Sequence, residues 1–237
     1  MKKIVFLCLM VASAAVTFGQ DYLGFQVGYA QSITRLNAPV VGKETTLNST
    51  AYNGLKLGVI YDATIVKGFG VSMGLNYTFG ANSTDWSKKN SNQPTEFPKV
   101  RSKGQYHQIE LPIDWQYKVQ MAKNTYFIVY TGPTLQCGLY LQDKWYLNNG
   151  KEVSVSHKEN IYSVDDMGNY ALNQLNVTWG VGAGFQYERY FLRGGYDFGL
   201  INPYKAQVFD VSADYKPYTR GRLDQWQIKI GMYLWQF

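Results

Sequence analysis

The sequence predicts an all-β protein, a closed antiparallel up-and-down transmembrane barrel of about eight strands. Three observations carry this reading. Apolar and polar residues alternate with period two in run after run, the apolar runs end in Tyr, Trp or Phe, and the connections between runs alternate short and long. A period of two places successive side chains on opposite faces of a strand, whereas a helix would need a period of 3.6.

Residues 1–19 read as a signal peptide and are set aside from the fold. Lys2 and Lys3 give a positive start, Ile4 to Val16 is an apolar run, and Thr17-Phe18-Gly19 offers small residues at the two cleavage positions, with Gln20 as the mature N-terminus. The run is shorter than the ~20 residues a spanning helix needs. Cys8 lacks the small-residue context of a lipid-modified cysteine. Residues 20–237 then form a single barrel domain. Taking Lys2 and Lys3 from the 23 basic residues leaves 21 against 17 acidic ones, a mature charge of +4. This modest excess fits contact with anionic lipid headgroups or no particular partner, and no basic run resembles a nucleic-acid-binding arm. Cys137 is the one mature cysteine, which excludes an internal disulfide and a cysteine-based zinc site. No later segment holds ~18 consecutive apolar residues, while 20 Tyr and 23 Gly suit strands and turns.

The runs follow in order. Leu23, Phe25, Val27 and Tyr29 share one face of the first. Leu55, Leu57, Val59 and Tyr61 share a face of the second, opposite Gly54, Lys56, Gly58 and Ile60. Val71, Met73, Leu75 and Tyr77 define the third. Ile109, Leu111, Ile113, Trp115 and Tyr117 define the fourth, opposite Gln108, Glu110, Pro112, Asp114 and Gln116. The fifth sets Phe127, Val129, Leu135, Cys137, Leu139 and Leu141 on one face, interrupted by Thr131 and Pro133. The sixth runs from Leu175 to Tyr187, the seventh from Leu192 to Leu200, and the last has Ile228, Ile230, Met232 and Leu234 opposite Lys229, Gly231 and Tyr233.

The polar faces carry Gly, Ser, Thr, Asn, Gln and a few charges. Such a face makes a poor dry core and a suitable barrel lumen, while the apolar face with its aromatic ends suits acyl chains and an aromatic girdle. Connections 62–68, 118–124 and 188–190 are short, whereas 35–50, 80–104, 143–171 and 203–222 are long and polar. Short periplasmic turns and long extracellular loops are the pattern of the cell outer membrane. In hydrocarbon every backbone N–H and C=O needs a partner, so the last strand must close on the first.

Several segments resemble the PorT-like outer-membrane β-barrel domain family of Bacteroidetes. They are ELPIDWQY at 110–117, YTGPTLQCG at 130–138, YDFGLIN at 196–202 and QIKIGMYLWQF at 227–237, with GLKLGVIYD at 54–62 and GFGVSMGLNYTFG at 68–80. The resemblance implies an eight-stranded outer-membrane barrel and little about activity, although the family's namesake serves a protein-secretion apparatus. The C-terminus also resembles the signal read by the barrel-insertion machinery. Lys229, Gly231 and Leu234 match its first fixed positions, Gln236 falls where the last apolar residue belongs, and Phe237 is one step late.

By alternation the lumen-facing charges are Lys56, Glu110, Asp114, Arg193, Asp197 and Lys229, with Glu188 a further candidate. The expectation is a polar network in which charges satisfy one another and fill the narrow interior. Glu110 and Asp114 lie four apart on one strand, ~13 Å, too far for a paired-carboxylate glycosidase unless another strand intervenes. His107 with nearby Ser102, and His157 near Ser154, Ser156, Asp165 and Asp166, are the weak candidates for catalysis; no nucleophile elbow, phosphate loop or calcium loop is present. Trp86, Phe97, Trp145, Tyr146, Tyr162 and Tyr170 in the long connections can form a binding surface or pack on one another.

The expectation is a non-enzymatic outer-membrane barrel with no catalytic residues, cofactor or metal. Its partners would be outer-membrane lipid, the barrel-insertion machinery during assembly, and an envelope or secretion-complex protein. Two alternatives are a narrow channel for ions or small solutes, and a soluble secreted barrel binding an apolar ligand.

Overall fold

The computed structural model describes residues 21–40, 43–85, 100–147, 160, 162, 173–203 and 220–236. The signal segment 1–19 and Phe237 lie outside these residues. The strands are β1 (Asp21–Val40), β2 (Lys43–Val66), β3 (Phe69–Asp85), β4 (Val100–Ala122), β5 (Thr125–Leu147), β6 (Leu175–Tyr187), β7 (Tyr190–Gly199) and β8 (Arg220–Gln236). Each pairs antiparallel with its chain neighbour, and β8 pairs with β1 to close the ring. Over the stretch where all eight strands pair, the ring has no open edge, which is what hydrocarbon demands of strands.

One end of the ring is made of two-residue turns. Val66 pairs with Phe69, Ala122 with Thr125, and Tyr187 with Tyr190. Lys67 and Gly68 both have positive φ, 42° and 87°. That is the turn geometry whose twist suits a tight hairpin, and glycine takes the second position without strain. Glu188 sits in the third turn with a φ of 51°. It is exposed there and therefore does not belong to the lumen, contrary to the sequence reading.

At the other end the strands outrun their apolar stretches. β2, β4 and β5 are 24, 23 and 23 residues long, whereas β6 and β7 have 13 and 10. A spanning strand needs ~9–11 residues, so one side of the wall continues well beyond the membrane. The stretch 35–50 is therefore not a loop: β1 and β2 run on as a hairpin, with Val40 paired to Lys43. Likewise β3 extends to Asp85, β5 to Leu147, and β8 begins at Arg220. Polar residues can continue a ladder in water, so loss of the apolar rhythm does not mark the end of a strand.

The sidedness is that of a membrane barrel. Phe25, Leu57, Leu75, Val181 and Ile230 lie exposed on the outer wall, while Gln26, Lys56, Asn76, Glu110 and Lys229 are buried inside. Two of the register shifts bear on the residues read from the alternation. His107 pairs with Tyr140 but Gln108 with Gly138, so β5 carries one extra residue at Leu139. This flips Leu141 from the expected outer face into the interior, where it packs with Tyr52 and Tyr106. In β8 a second shift sets Leu23 opposite Trp235 and Gly24 opposite Tyr233. Trp235 thus reaches the outer wall two residues after buried Tyr233, and the one-step lateness of the C-terminal pattern falls where this bulge sits.

Interior glycines make room for rings. A Cβ on Gly80 would lie 1.7 Å from a ring carbon of Tyr106, and one on Gly182 would lie 2.2 Å from the Tyr130 ring. An arginine placed on the outer wall is a different insult, because it puts a charge among acyl chains. Leu57→Arg and Leu75→Arg are each expected to cost ~2–4 kcal/mol near the bilayer midplane, measured as a lower urea midpoint for refolding into phosphatidylcholine vesicles.

Candidate functional site

The interior is the first place to look for chemistry, because buried charge is costly unless it is paired. Two polar layers span the lumen. In the first, Lys56 on β2 donates to Glu110 Oε2 on β4 at 2.5 Å and to Gln227 Oε1 on β8 at 2.6 Å. Glu110 Oε1 accepts from Thr78 Oγ1 at 2.8 Å and from Gln108 Nε2 at 2.6 Å. Gln227 passes the network on, donating to Asp197 Oδ2 at 2.9 Å. Gln225 Oε1 accepts from Gln108 and Gln136, each at 3.3 Å. Six strands thus meet through side chains alone.

The second layer lies nearer the turn end and centres on Asp62. Its Oδ2 accepts from Arg193 Nη2 at 2.8 Å and from the Tyr233 hydroxyl at 2.5 Å. Its Oδ1 accepts from Gln116 Nε2 at 2.5 Å and pairs with Lys118 Nζ at 3.0 Å. Arg193 also donates to Ser72 Oγ at 3.0 Å, and its guanidinium lies 5.6 Å from the Tyr130 ring centre and 5.4 Å from that of Phe191. These contacts anchor one carboxylate with two cations, the arrangement that makes a buried charge tolerable.

The six lumen charges read from alternation are all buried, but they do not all pair with one another. Lys56 and Glu110 form an ion pair, and Arg193 takes Asp62, which the reading missed. Asp197 is held by an amide. Asp114 and Lys229 make no ion pair among the described residues. Lys118 and Asp224 are also buried and were missed. Asp224 accepts from Tyr196 at 3.0 Å and Arg222 at 2.8 Å. Asp62 and Lys118 continue the inward row of their strands, Asp62 after Ile60 and Lys118 after Gln116, and extending the period past the last apolar residue would have found them. Asp224 instead falls on the outer row of β8, next to inward Gln225, and is buried there beneath Tyr196 and Arg222.

Aromatic clusters close both ends. Tyr52, Tyr106 and Leu141, with Tyr162 packed against them, cap the loop end; Ile60, Phe191 and Tyr233, with Tyr22, cap the turn end. Tyr162 is therefore a packing residue, and burial raises its hydroxyl to about 12. Beneath the loop-end cap lies a cavity of about 50 Å³, lined in part by Ser32, Tyr106, Gln108, Gln136 and Asn176. Ordinary ligand pockets are ~300–1,000 Å³ and mostly apolar. This cavity is far smaller, too small among the described residues to hold an apolar ligand of ordinary size.

The catalytic candidates do not assemble. His107 lies on the outer wall, where its Nδ1 is hydrogen-bonded to the Tyr77 hydroxyl and its ring packs against Phe79 and Tyr140. The side chain of Ser102 lies outside the described residues, as do Trp86, Phe97, Ser154, Ser156, His157, Asp165, Asp166 and Tyr170. Among the described residues no group of three or more His, Cys, Asp or Glu is placed to hold a metal. Of the residues matched to the assembly pattern, Lys229 points into the lumen, Gly231 faces the Phe191 ring, and Leu234 sits at the β8 bulge.

The network makes a sharp prediction about energetics. Lys56→Met leaves Glu110 buried without its cation and should cost ~3–5 kcal/mol, and adding Glu110→Gln should return much of that loss. Urea unfolding of the two variants in vesicles measures both.

No curated protein matches the chain. Among solved structures it is similar to the attachment invasion locus protein Ail of Yersinia pestis, at 12% identity over 92% of this chain and all of that one, with a TM-score of 0.37. Neisserial surface protein A is similar at 11% identity over 89% and 97% of the two chains, TM-score 0.39. The outer membrane enzyme PagL is similar at 11% over 88% and 99%, TM-score 0.41. Such low scores carry no argument. The family comparison does, because the outer membrane protein β-barrel domain matches residues 16–205, well over half of the chain and all of β1 to β7. With its ring closed, its apolar side chains outward and its charges within, the chain belongs to the outer membrane protein β-barrel domain family and resides in the outer membrane.

Proposed function

We propose that this outer-membrane barrel is a closed, non-conducting scaffold that acts through its extracellular face, as a surface-binding protein or as a partner of an envelope or secretion complex. Its kinship to the PorT-like barrels is part of the same reading, supported by the order of the quoted segments along the chain. The observation that carries the proposal is the cross-lumen pairing. Lys56 with Glu110, and Arg193 with Asp62, join strands two and three apart in the ring with almost no exposed surface. An eight-stranded ring leaves an interior that side chains can just fill. A conducting path would need these pairs to part, at the cost of unpaired buried charge.

No reaction is assigned, since the described residues bring no nucleophile and base together. Residues 1–19 act in this reading only as an export signal, removed before the barrel forms, and the β8 terminus as the segment read by the insertion machinery.

A second reading, a narrow path for protons or ions, has one observation in its favour: Asp114 and Lys229 are buried without an ion-pair partner among the described residues. Recordings across planar bilayers separate the two. The purified chain should give no unitary current steps, while a Lys56→Ala/Arg193→Ala variant that still inserts should give brief openings. Regular steps from the unaltered chain would establish the channel and end the scaffold reading.

A further inference from the structure

The outer wall of β4 and β5 presents an ordered series of cross-strand pairs. From the membrane upward they are Ile109 with Cys137, His107 with Tyr140, Gln105 with Gln142, and Lys103 with Lys144. Polarity rises in step, from aliphatic to aromatic to amide to cation. The Lys103–Lys144 pair is anomalous. Directly opposed residues on one face have Cβ atoms ~4.5–5.5 Å apart, and like charges there destabilise the ladder. Neither ammonium has an ion-pair partner among the described residues. Lys103 instead lies 5.6 Å from the centre of the Tyr146 ring.

Two opposed cations with no counter-charge among the described side chains call for an anion between them, and their height says which kind. His107, Tyr77, Phe79 and Tyr140 form an aromatic cluster on the outer wall, the composition of a girdle at the edge of the hydrocarbon. Four residues separate His107 from Lys103, ~13 Å along a strand. A tilt of ~35–45° reduces that to ~10 Å along the membrane normal. The headgroup region extends ~5–7 Å beyond the hydrocarbon on each side. Lysine stems of four carbons can bend down that difference while their ammonium groups stay polar.

We propose that Lys103 and Lys144, bordered by Tyr146, bind the phosphate of a lipid headgroup in the extracellular leaflet. The phosphate oxygens take donors from both ammonium groups and cancel the repulsion built into the ladder. The lipid's chains then lie along the apolar wall below the His107 cluster. The site holds one class of lipid against the β4–β5 face and fixes the height of the barrel in the membrane.

The test uses the full chain in nanodiscs of phosphatidylcholine, with or without phosphatidic acid as the phosphomonoester probe. Native mass spectrometry should show phosphatidic acid retained several-fold above its share of the mixture. Lys103→Gln/Lys144→Gln should lose this enrichment and Lys103→Arg/Lys144→Arg should keep it. Millimolar inorganic phosphate should not displace the lipid; displacement would mean that the site takes a soluble anion and would overturn the lipid assignment. Stability supplies an independent sign. Lys144→Gln should leave the urea midpoint unchanged or higher in pure phosphatidylcholine, where it relieves repulsion, and lower it when phosphatidic acid is present. That single variant also carries the test if the double variant fails to insert. No enrichment by the unaltered chain, enrichment that survives the glutamines, or an equal loss of stability in both lipids would each sink the proposal.

Discussion

The structure depends on one constraint: in hydrocarbon the backbone has no water to bond to, so every N–H and C=O must be answered by another strand. Eight strands answer it by pairing in sequence and closing β8 onto β1. Closure then dictates the rest. It makes a tube whose outside meets acyl chains, which requires the apolar row to face outward. It makes a lumen too narrow for much water, which requires the inward row to be polar, satisfied and closely fitted. Interior glycines such as Gly80 and Gly182 follow from the same narrowness, since each lies beneath a tyrosine ring that a Cβ would strike.

Filling the tube with charges is costly in principle, and the layout shows how the cost is contained. Each buried carboxylate at the centre of a layer is met from several strands. Glu110 draws on β2, β3, its own strand and β8. Asp62 draws on β4, β7 and β8. Such pairs are not strong sources of net stability, because desolvation consumes most of the attraction. Their contribution is to register. A slip of one residue would turn every inward charge toward lipid. A slip of two would keep the faces but move Lys56 off the level of Glu110. The aliphatic outer wall is indifferent to slips of two, so the lumen decides among registers that the membrane alone would accept.

The same distinction explains what was legible in the sequence. Alternation shows which way a side chain points, and so Lys56, Glu110, Asp114, Arg193, Asp197 and Lys229 were readable as inward residues. It does not show the level at which a side chain sits across the tube, which depends on the stagger between strands. The pairing of Arg193 with Asp62 was therefore beyond it. Strand ends were misjudged wherever the ladder continues with polar residues, which hid Asp62 and Lys118 and turned the β1–β2 hairpin into a supposed loop, while Asp224 is buried on the outer row, where alternation gives no sign of it. Leu141 was placed on the wrong face because a bulge has no mark in a pattern of apolar residues. Glu188 was assigned inward by extending the period into a turn.

A filled lumen moves the question of function to the perimeter. The inward residues have most of their bonding capacity used across the tube, whereas the outer wall changes character with height and is not uniform around the ring. β6 and β7 stop after 13 and 10 residues, while β4 and β5 continue to 23 each. The tall side carries the His107 cluster and the opposed lysines above it. Stability alone gives no reason to extend a ladder ~10 residues beyond the membrane, still less to set two cations face to face on it. An asymmetric wall has a preferred side to offer a neighbour, and on this barrel the chemistry of that side is cationic and aromatic. A ligand that meets it first meets lipid headgroups, so binding at this surface is coupled to the composition of the leaflet in a way that a lumen site would not be.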